Sequence, residues 1–99
     1  MTFDEIYQRF ASAGATVPGK KVKFDFGADG KIFLDGAAGA VSTDDAAADT
    51  TLQLALADFI AMAEGKLDPT MAFMQGKLKV VGDMGVAMQL QSVMAKLRG

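Results

Sequence analysis

Residues 65–88 read Gly65-Lys66-Leu67-Asp68-Pro69-Thr70-Met71-Ala72-Phe73-Met74-Gln75-Gly76-Lys77-Leu78-Lys79-Val80-Val81-Gly82-Asp83-Met84-Gly85-Val86-Ala87-Met88. Their punctuation divides them into short pieces. Gly65 takes the left-handed conformation that ends a preceding helix without steric cost. Asp68 before Pro69 is a helix start: the carboxylate accepts orphan N–H bonds, and the proline needs no N–H of its own. Gly76 stops that helix within two turns. Lys77, Leu78, Lys79 and Val80 then alternate with the period of a half-buried strand. Gly82 breaks the strand, and Asp83 is placed to cap a last helix beginning at Met84.

The same stretch resembles the sterol carrier protein 2 family, whose motif has the form Gly-Lys-x-x-Pro-x-x-Ala-Phe-x-x-Gly-Lys-Leu-Lys-x-x-Gly-x-Met-Gly-x-Ala-Met. It is carried here by Gly65, Lys66, Pro69, Ala72, Phe73, Gly76, Lys77, Leu78, Lys79, Gly82, Met84, Gly85, Ala87 and Met88. The resemblance implies an α+β fold, an open sheet with helices on one face, and a hydrophobic tunnel between sheet and helices. It also implies a lipid carrier without catalytic activity. The strands marked by alternation bring the expected count to about five in a single sheet.

Downstream, a helix from Met84 to about Leu97 is expected to be apolar on two sides. Met84, Ala87, Met88 and Ala95 fall on one side with Met94 at its margin, and Val86, Leu90, Val93 and Leu97 fall on the other. Gln89, Ser92 and Lys96 form the polar strip. Two apolar sides require two covers. One is the sheet, and the other is a neighbouring helix, a second subunit or a bound apolar ligand.

Upstream, Asp58–Glu64 reads as a helix with Phe59, Met62 and Ala63 on one side and Ile60 nearby, without a good N-cap. Thr50–Leu54 reads as a strand. The run from Gly36 to Ala48 is rich in alanine and glycine, with Val41 and Ser42 in a short strand. Asp44, Asp45 and Asp49 lack the ligand series of a calcium loop and read as a solvated acidic turn. Lys21–Phe26 alternates, with Val22, Phe24 and Phe26 inward. Gly27–Gly30 has hairpin chemistry, and Lys31–Asp35 returns with Ile32 and Leu34 inward and Phe33 left exposed on the outer face.

Thr2 and Glu5 form a capping box, with Met1 and Ile6 as a hydrophobic staple. Phe3, Ile6, Tyr7 and Phe10 share one face of a first helix that ends near Ala13 and Gly14. That face reads as core-facing. A membrane-docking helix is the alternative, and Asp4 and Glu5 on its polar side oppose it, because interfacial helices usually present basic residues.

With 99 residues the chain is expected to be one domain, 1–99. It has no cysteine and no histidine, which removes disulfides, thiol nucleophiles, Cys/His zinc sites and the usual general base. No cofactor is expected. A net charge of −2 speaks against nucleic acid as a partner. No apolar run reaches a bilayer-spanning length and the first residues are acidic, so a cytoplasmic location is expected. Ala95, Lys96 and Leu97 look like a peroxisomal tripeptide, but Arg98 and Gly99 follow it and such signals are read at a free C-terminus.

Patterning alone makes the methionines ordinary core filler; with the resemblance added, a lipid site becomes the better reading. The expected ligand is a fatty acid, fatty acyl-CoA, phospholipid or sterol-like molecule. The expected wall is Phe59, Ile60, Met62, Met71, Phe73, Met74, Met84, Met88 and Met94, with Gln75 as the polar anchor for a head group. The alternative is a small dimerisation or interaction module using the apolar last helix. Expected membrane contact is at most transient, and the chain is expected to be a monomer or a weak homodimer.

Overall fold

The computed structural model describes residues 2–89 and 92–94. Helix α1 spans Phe3–Ala13, followed by strands β1 (Lys21–Asp25), β2 (Lys31–Asp35), β3 (Ala40–Ser42) and β4 (Thr50–Leu54). Helices α2 (Leu56–Ala63) and α3 (Pro69–Met74), strand β5 (Leu78–Gly82) and helix α4 (Met84–Ala87) complete the order. The fold is α+β, with one five-stranded mixed sheet in the order β3-β2-β1-β4-β5. β1 runs parallel to β4, and every other neighbouring pair is antiparallel.

Alternation sets which face is covered. Val22, Phe24, Ile32, Leu34, Leu52, Leu54 and Leu78 are buried, while Lys21 and Lys79 are exposed on the opposite face. The registers Phe24↔Ile32 and Phe24↔Leu52 stack these inward positions across three strands. A one-residue slip of any strand would turn its apolar set to solvent, so burial and register enforce each other. Phe10 of α1 and Phe59 of α2 reach this face, with ring centroids 5.3 and 5.2 Å from Phe24. Phe26 adds a further ring, 5.3 Å from Phe59.

The first helix begins on Thr2, whose hydroxyl accepts from the Glu5 N–H at 3.3 Å. The carboxylate of Glu5 accepts from that hydroxyl rather than from the Thr2 N–H that a full capping box would use. The Met1 half of the expected staple lies outside the described residues. Ile6 and Phe10 are buried, Phe3 and Tyr7 pack half-buried against the core, and the Tyr7 hydroxyl donates to the Val41 carbonyl at 3.2 Å. The aromatic face of α1 is therefore spent on the sheet. Helix α2 starts at Leu56, two positions before the expected Asp58, and its N-cap Ala55 makes no side-chain bond. Burial of Phe59 and Met62 holds it there in place of a cap.

Phe33 departs from expectation. It lies on the outer side of β2 but is only 6% exposed. The cause is the connection from β3 to β4, which must cross β2 and β1 to reach its place in the sheet. Residues 43–49 make that crossing as a strap. Lys23, opposite Phe33 in the register, donates to the Asp45 carboxylate at 2.8 Å and to the Ala46 carbonyl at 3.0 Å. Lys31 lies 3.9 Å from the same carboxylate. The hydrogen bond from Lys23, reinforced by the charges of Lys23 and Lys31, holds the Asp45 carboxyl below the usual carboxylate range. Asp49 accepts from the Lys21 N–H at 2.8 Å. The acidic turn is thus a fastening for the strap.

Candidate functional site

Asp68 accepts from the N–H groups of Thr70 and Met71 and starts α3, with Pro69 at its first position. Gly76, at φ 75°, ends it: its N–H donates to the Phe73 carbonyl and the Lys77 N–H to the Ala72 carbonyl. This paired closure needs the left-handed conformation glycine supplies. The chain then enters β5, whose Leu78 and Val80 face inward opposite Leu54 and Leu52.

At the far end of β5 the backbone is pinned. Gly82 lies opposite Thr50, and a Cβ at Gly82 would collide with the Asp49 carbonyl oxygen. The buried Thr50 hydroxyl donates to the Asp83 carbonyl at 2.6 Å, and the Asp83 N–H donates to the Asp49 carbonyl at 3.0 Å. Asp83 in turn accepts from the N–H groups of Gly85 and Val86. The start of α4 is therefore fixed to the end of β4 from both sides of one residue.

Between α3, β5 and α4 lies an apolar cleft of about 320 Å³, lined by Pro69, Thr70, Phe73, Leu78, Val80, Met84, Ala87 and Met88. Phe73, Met84 and Met88 are the expected wall residues that the structure brings together here. Among the described residues the cleft is open rather than an enclosed tunnel, because Phe73 is 46%, Met84 49% and Met88 81% exposed.

The remaining expected residues lie elsewhere. Phe59, Met62 and Met94 are buried in the main core, and Ile60 packs half-buried against it. Met71, Met74 and Gln75 are exposed and do not line the cleft. At about 100° per residue Pro69, Phe73 and Thr70 lie within one arc of α3, Met71 falls on the far side, and Met74 falls just beyond Thr70 at the edge of that arc. Pro69, Thr70, Leu78, Val80 and Ala87 were not among the expected lining residues. For Leu78 and Val80 the signal was present, since the alternation that exposes Lys77 and Lys79 turns these two inward.

The last helix also differs from expectation. It is helical over Met84–Ala87, turns at Met88 and Gln89, and is helical again over residues 92–94. Gln89 donates to Val86, and Ser92 to Gln89, in tight i to i−3 bonds. Met94, expected at the margin of the Met84–Met88 side and as a wall residue, is instead buried with Val93 and Val86. Leu90, Ala95, Lys96 and Leu97 lie outside the described residues.

Among the described residues no helix is long and apolar enough to cross a membrane. Among the described residues the cleft lining contains one side-chain hydroxyl, from Thr70, and no ionisable side chain.

The family model described as the SCP-2 sterol transfer family matches residues 9–95. Hydroxysteroid dehydrogenase-like protein 2 of Xenopus tropicalis is 48% identical over 50 residues, which is 50% of this chain and 12% of that protein. Sterol carrier protein 2 of Homo sapiens is 44% identical over 59 residues, 60% of this chain and 11% of that protein. The matches thus take in a small fraction of either relative. In three dimensions the chain superposes on the palmitated SCP2L2 of Aedes aegypti with a TM-score of 0.69 and 25% identity, covering 95% of each chain.

Proposed function

This chain belongs to the SCP-2 sterol transfer family, and from that membership together with the cleft we propose that residues 1–99 form a single non-catalytic lipid-binding domain. The observation that carries this reading is that Phe73, Leu78, Met84, Ala87 and Met88, all motif residues, converge on one apolar cleft. Its volume is within the range of small-molecule sites, roughly 300–1,000 Å³. The ligand is an elongated apolar molecule: a fatty acid, a fatty acyl-CoA, a phospholipid or a sterol-like lipid. That a similar fold carries palmitate in the Aedes aegypti protein supports an acyl chain first.

Binding needs no bond made or broken. Each methylene moved from water into contact with Phe73, Leu78, Val80 and the methionines contributes about 0.8 kcal/mol. Thioether side chains rotate at low cost and follow ligands of different shape, so affinity is broad across lipid classes. Thr70 takes the role first expected of Gln75, because it is the polar side chain in the lining. Transfer follows from the open mouth, through which a lipid enters and leaves without unfolding the sheet.

Native mass spectrometry of protein purified without detergent, followed by lipid extraction, tests the reading. Bound lipid on a monomer, displaced by added palmitate, is the expected result. Lipid-free protein whose mass rises with concentration, and which takes up no fluorescent fatty acid, overturns it in favour of an interaction module.

A further inference from the structure

The chain has seven methionines and no cysteine, so its sulfur is all thioether. Exposure divides the methionines among the described residues into two groups. Met62 and Met94 are buried in the main core, at 0% and 1%, whereas Met71, Met74, Met84 and Met88 are 47%, 73%, 49% and 81% exposed. Of the exposed group, Met84 and Met88 line the cleft and Met71 and Met74 do not. The two cleft methionines stand one turn apart on the same side of α4, with the Met88 N–H donating to the Met84 carbonyl at 3.0 Å. A thioether has no proton to lose, so its sulfur is nucleophilic without the general base that this histidine-free chain lacks.

We propose that Met84 and Met88 form an oxidation site, at which a peroxide turns the cleft wall from apolar to polar and releases the lipid. The sulfur lone pair attacks one peroxide oxygen, the O–O bond breaks and an S–O bond forms. The departing hydroxide takes the proton of the transferred hydroxyl and leaves as water, so the sulfur loses two electrons and the peroxide gains them. The sulfoxide oxygen is a hydrogen-bond acceptor, and among the described residues the lining offers it one side-chain donor, the Thr70 hydroxyl. It therefore keeps water, and an acyl chain entering the cleft must strip that water without replacing its hydrogen bonds. Met62 and Met94 are shielded from the oxidant, so the core keeps its apolar packing and the change is confined to the wall. Methionine sulfoxide reductases reverse it. The inference rests on the lipid-binding reading, since what oxidation removes is affinity for the lipid.

The experiment treats the full chain with dilute hydrogen peroxide, maps the added oxygen by peptide mass spectrometry, removes the peroxide and titrates a fluorescent fatty acid. Met71, Met74, Met84 and Met88 are expected to gain oxygen before Met62 and Met94. Palmitate present during treatment should slow the reaction at Met84 and Met88 but not at Met71 and Met74. Affinity should fall about tenfold with the melting temperature nearly unchanged, and methionine sulfoxide reductases with dithiothreitol should restore it. For variants the readout is the change of affinity on peroxide treatment, whatever the starting affinity. The loss should persist in Met71→Leu/Met74→Leu and disappear in Met84→Leu/Met88→Leu. Unchanged affinity with both cleft methionines oxidised overturns the inference, as does a loss that Met84→Leu/Met88→Leu shares or one that follows a fall in melting temperature. A chain that takes up no fatty acid before peroxide would instead overturn the proposed function, and this inference with it.

Discussion

Phe24 and Met88 mark two apolar regions on the same sheet with opposite fates. Around Phe24, the rings of Phe10, Phe26 and Phe59 meet at centroid separations of 5.2 to 6.2 Å, and Phe10, Phe24 and Phe59 are wholly buried. Around Met88, flexible side chains line a cleft that stays open. The difference lies in what each region packs against. The first is clamped between β1 and two helices of 11 and 8 residues, whereas the second lies between α3, β5 and α4, which among the described residues leave Phe73, Met84 and Met88 exposed. Apolar content therefore does not separate scaffold from site; the contacts that each side chain finds in the fold do.

The largest effect should come from breaking the closed region. Phe59→Ala removes a ring that touches three others and is expected to lower unfolding free energy by about 3–5 kcal/mol, read from a urea titration. A loss under about 1 kcal/mol would mean that the aromatic cluster is not the scaffold. Next in size is the link between the regions. Thr50→Val deletes the hydroxyl that holds the Asp83 carbonyl and should cost about 1–3 kcal/mol. It should also loosen α4 and weaken fatty acid binding, with Thr50→Ser restoring both.

The cleft itself should respond in the opposite sense to the core. Met88→Ala, at a position 81% exposed, is expected to shift stability by no more than about 0.5 kcal/mol. Fatty acid affinity should fall about tenfold, from the contact area lost. Equal losses of stability and no loss of affinity at Met84, Met88 and Phe73 would merge the two regions into one core.

The smallest effect is on the outer face. Asp45 is held below its usual range by Lys23 and Lys31, so its pairing stabilises the fold at pH values above the ordinary carboxylate range and is lost as pH falls through the lowered value. Asp45→Asn should accordingly leave the melting temperature almost unchanged in acid and lower it slightly near neutrality. A larger decrease in acid than at neutral pH would contradict this sign.

Much of the fold was written locally. Asp68-Pro69, Gly76 and Asp83 set the ends of α3 and the start of α4 through bonds spanning two to five residues, and alternation in β1, β2 and β5 marked which side chains face the core. These features depend on neighbours along the chain, so the sequence alone determined them. The family motif likewise located the cleft-forming stretch.

What only the tertiary structure decided depends on contacts between distant segments. Phe33 is covered because the β3–β4 strap crosses its face, a consequence of strand order that alternation cannot express. Met94, at the margin of the Met84–Met88 side by sequence, joins the core with Val86 and Val93, whereas Met88 faces the cleft. Phe59 and Met62 carry the same apolar character as Phe73 and Met84, yet both are buried in the main core, Phe59 against Phe10 of α1 and Phe24 of the sheet. Side-chain chemistry determined that all of these residues avoid water. Which of them find protein atoms and which are left facing the cleft was decided by the packing of the helices, because contacts between distant segments are not set by neighbours along the chain.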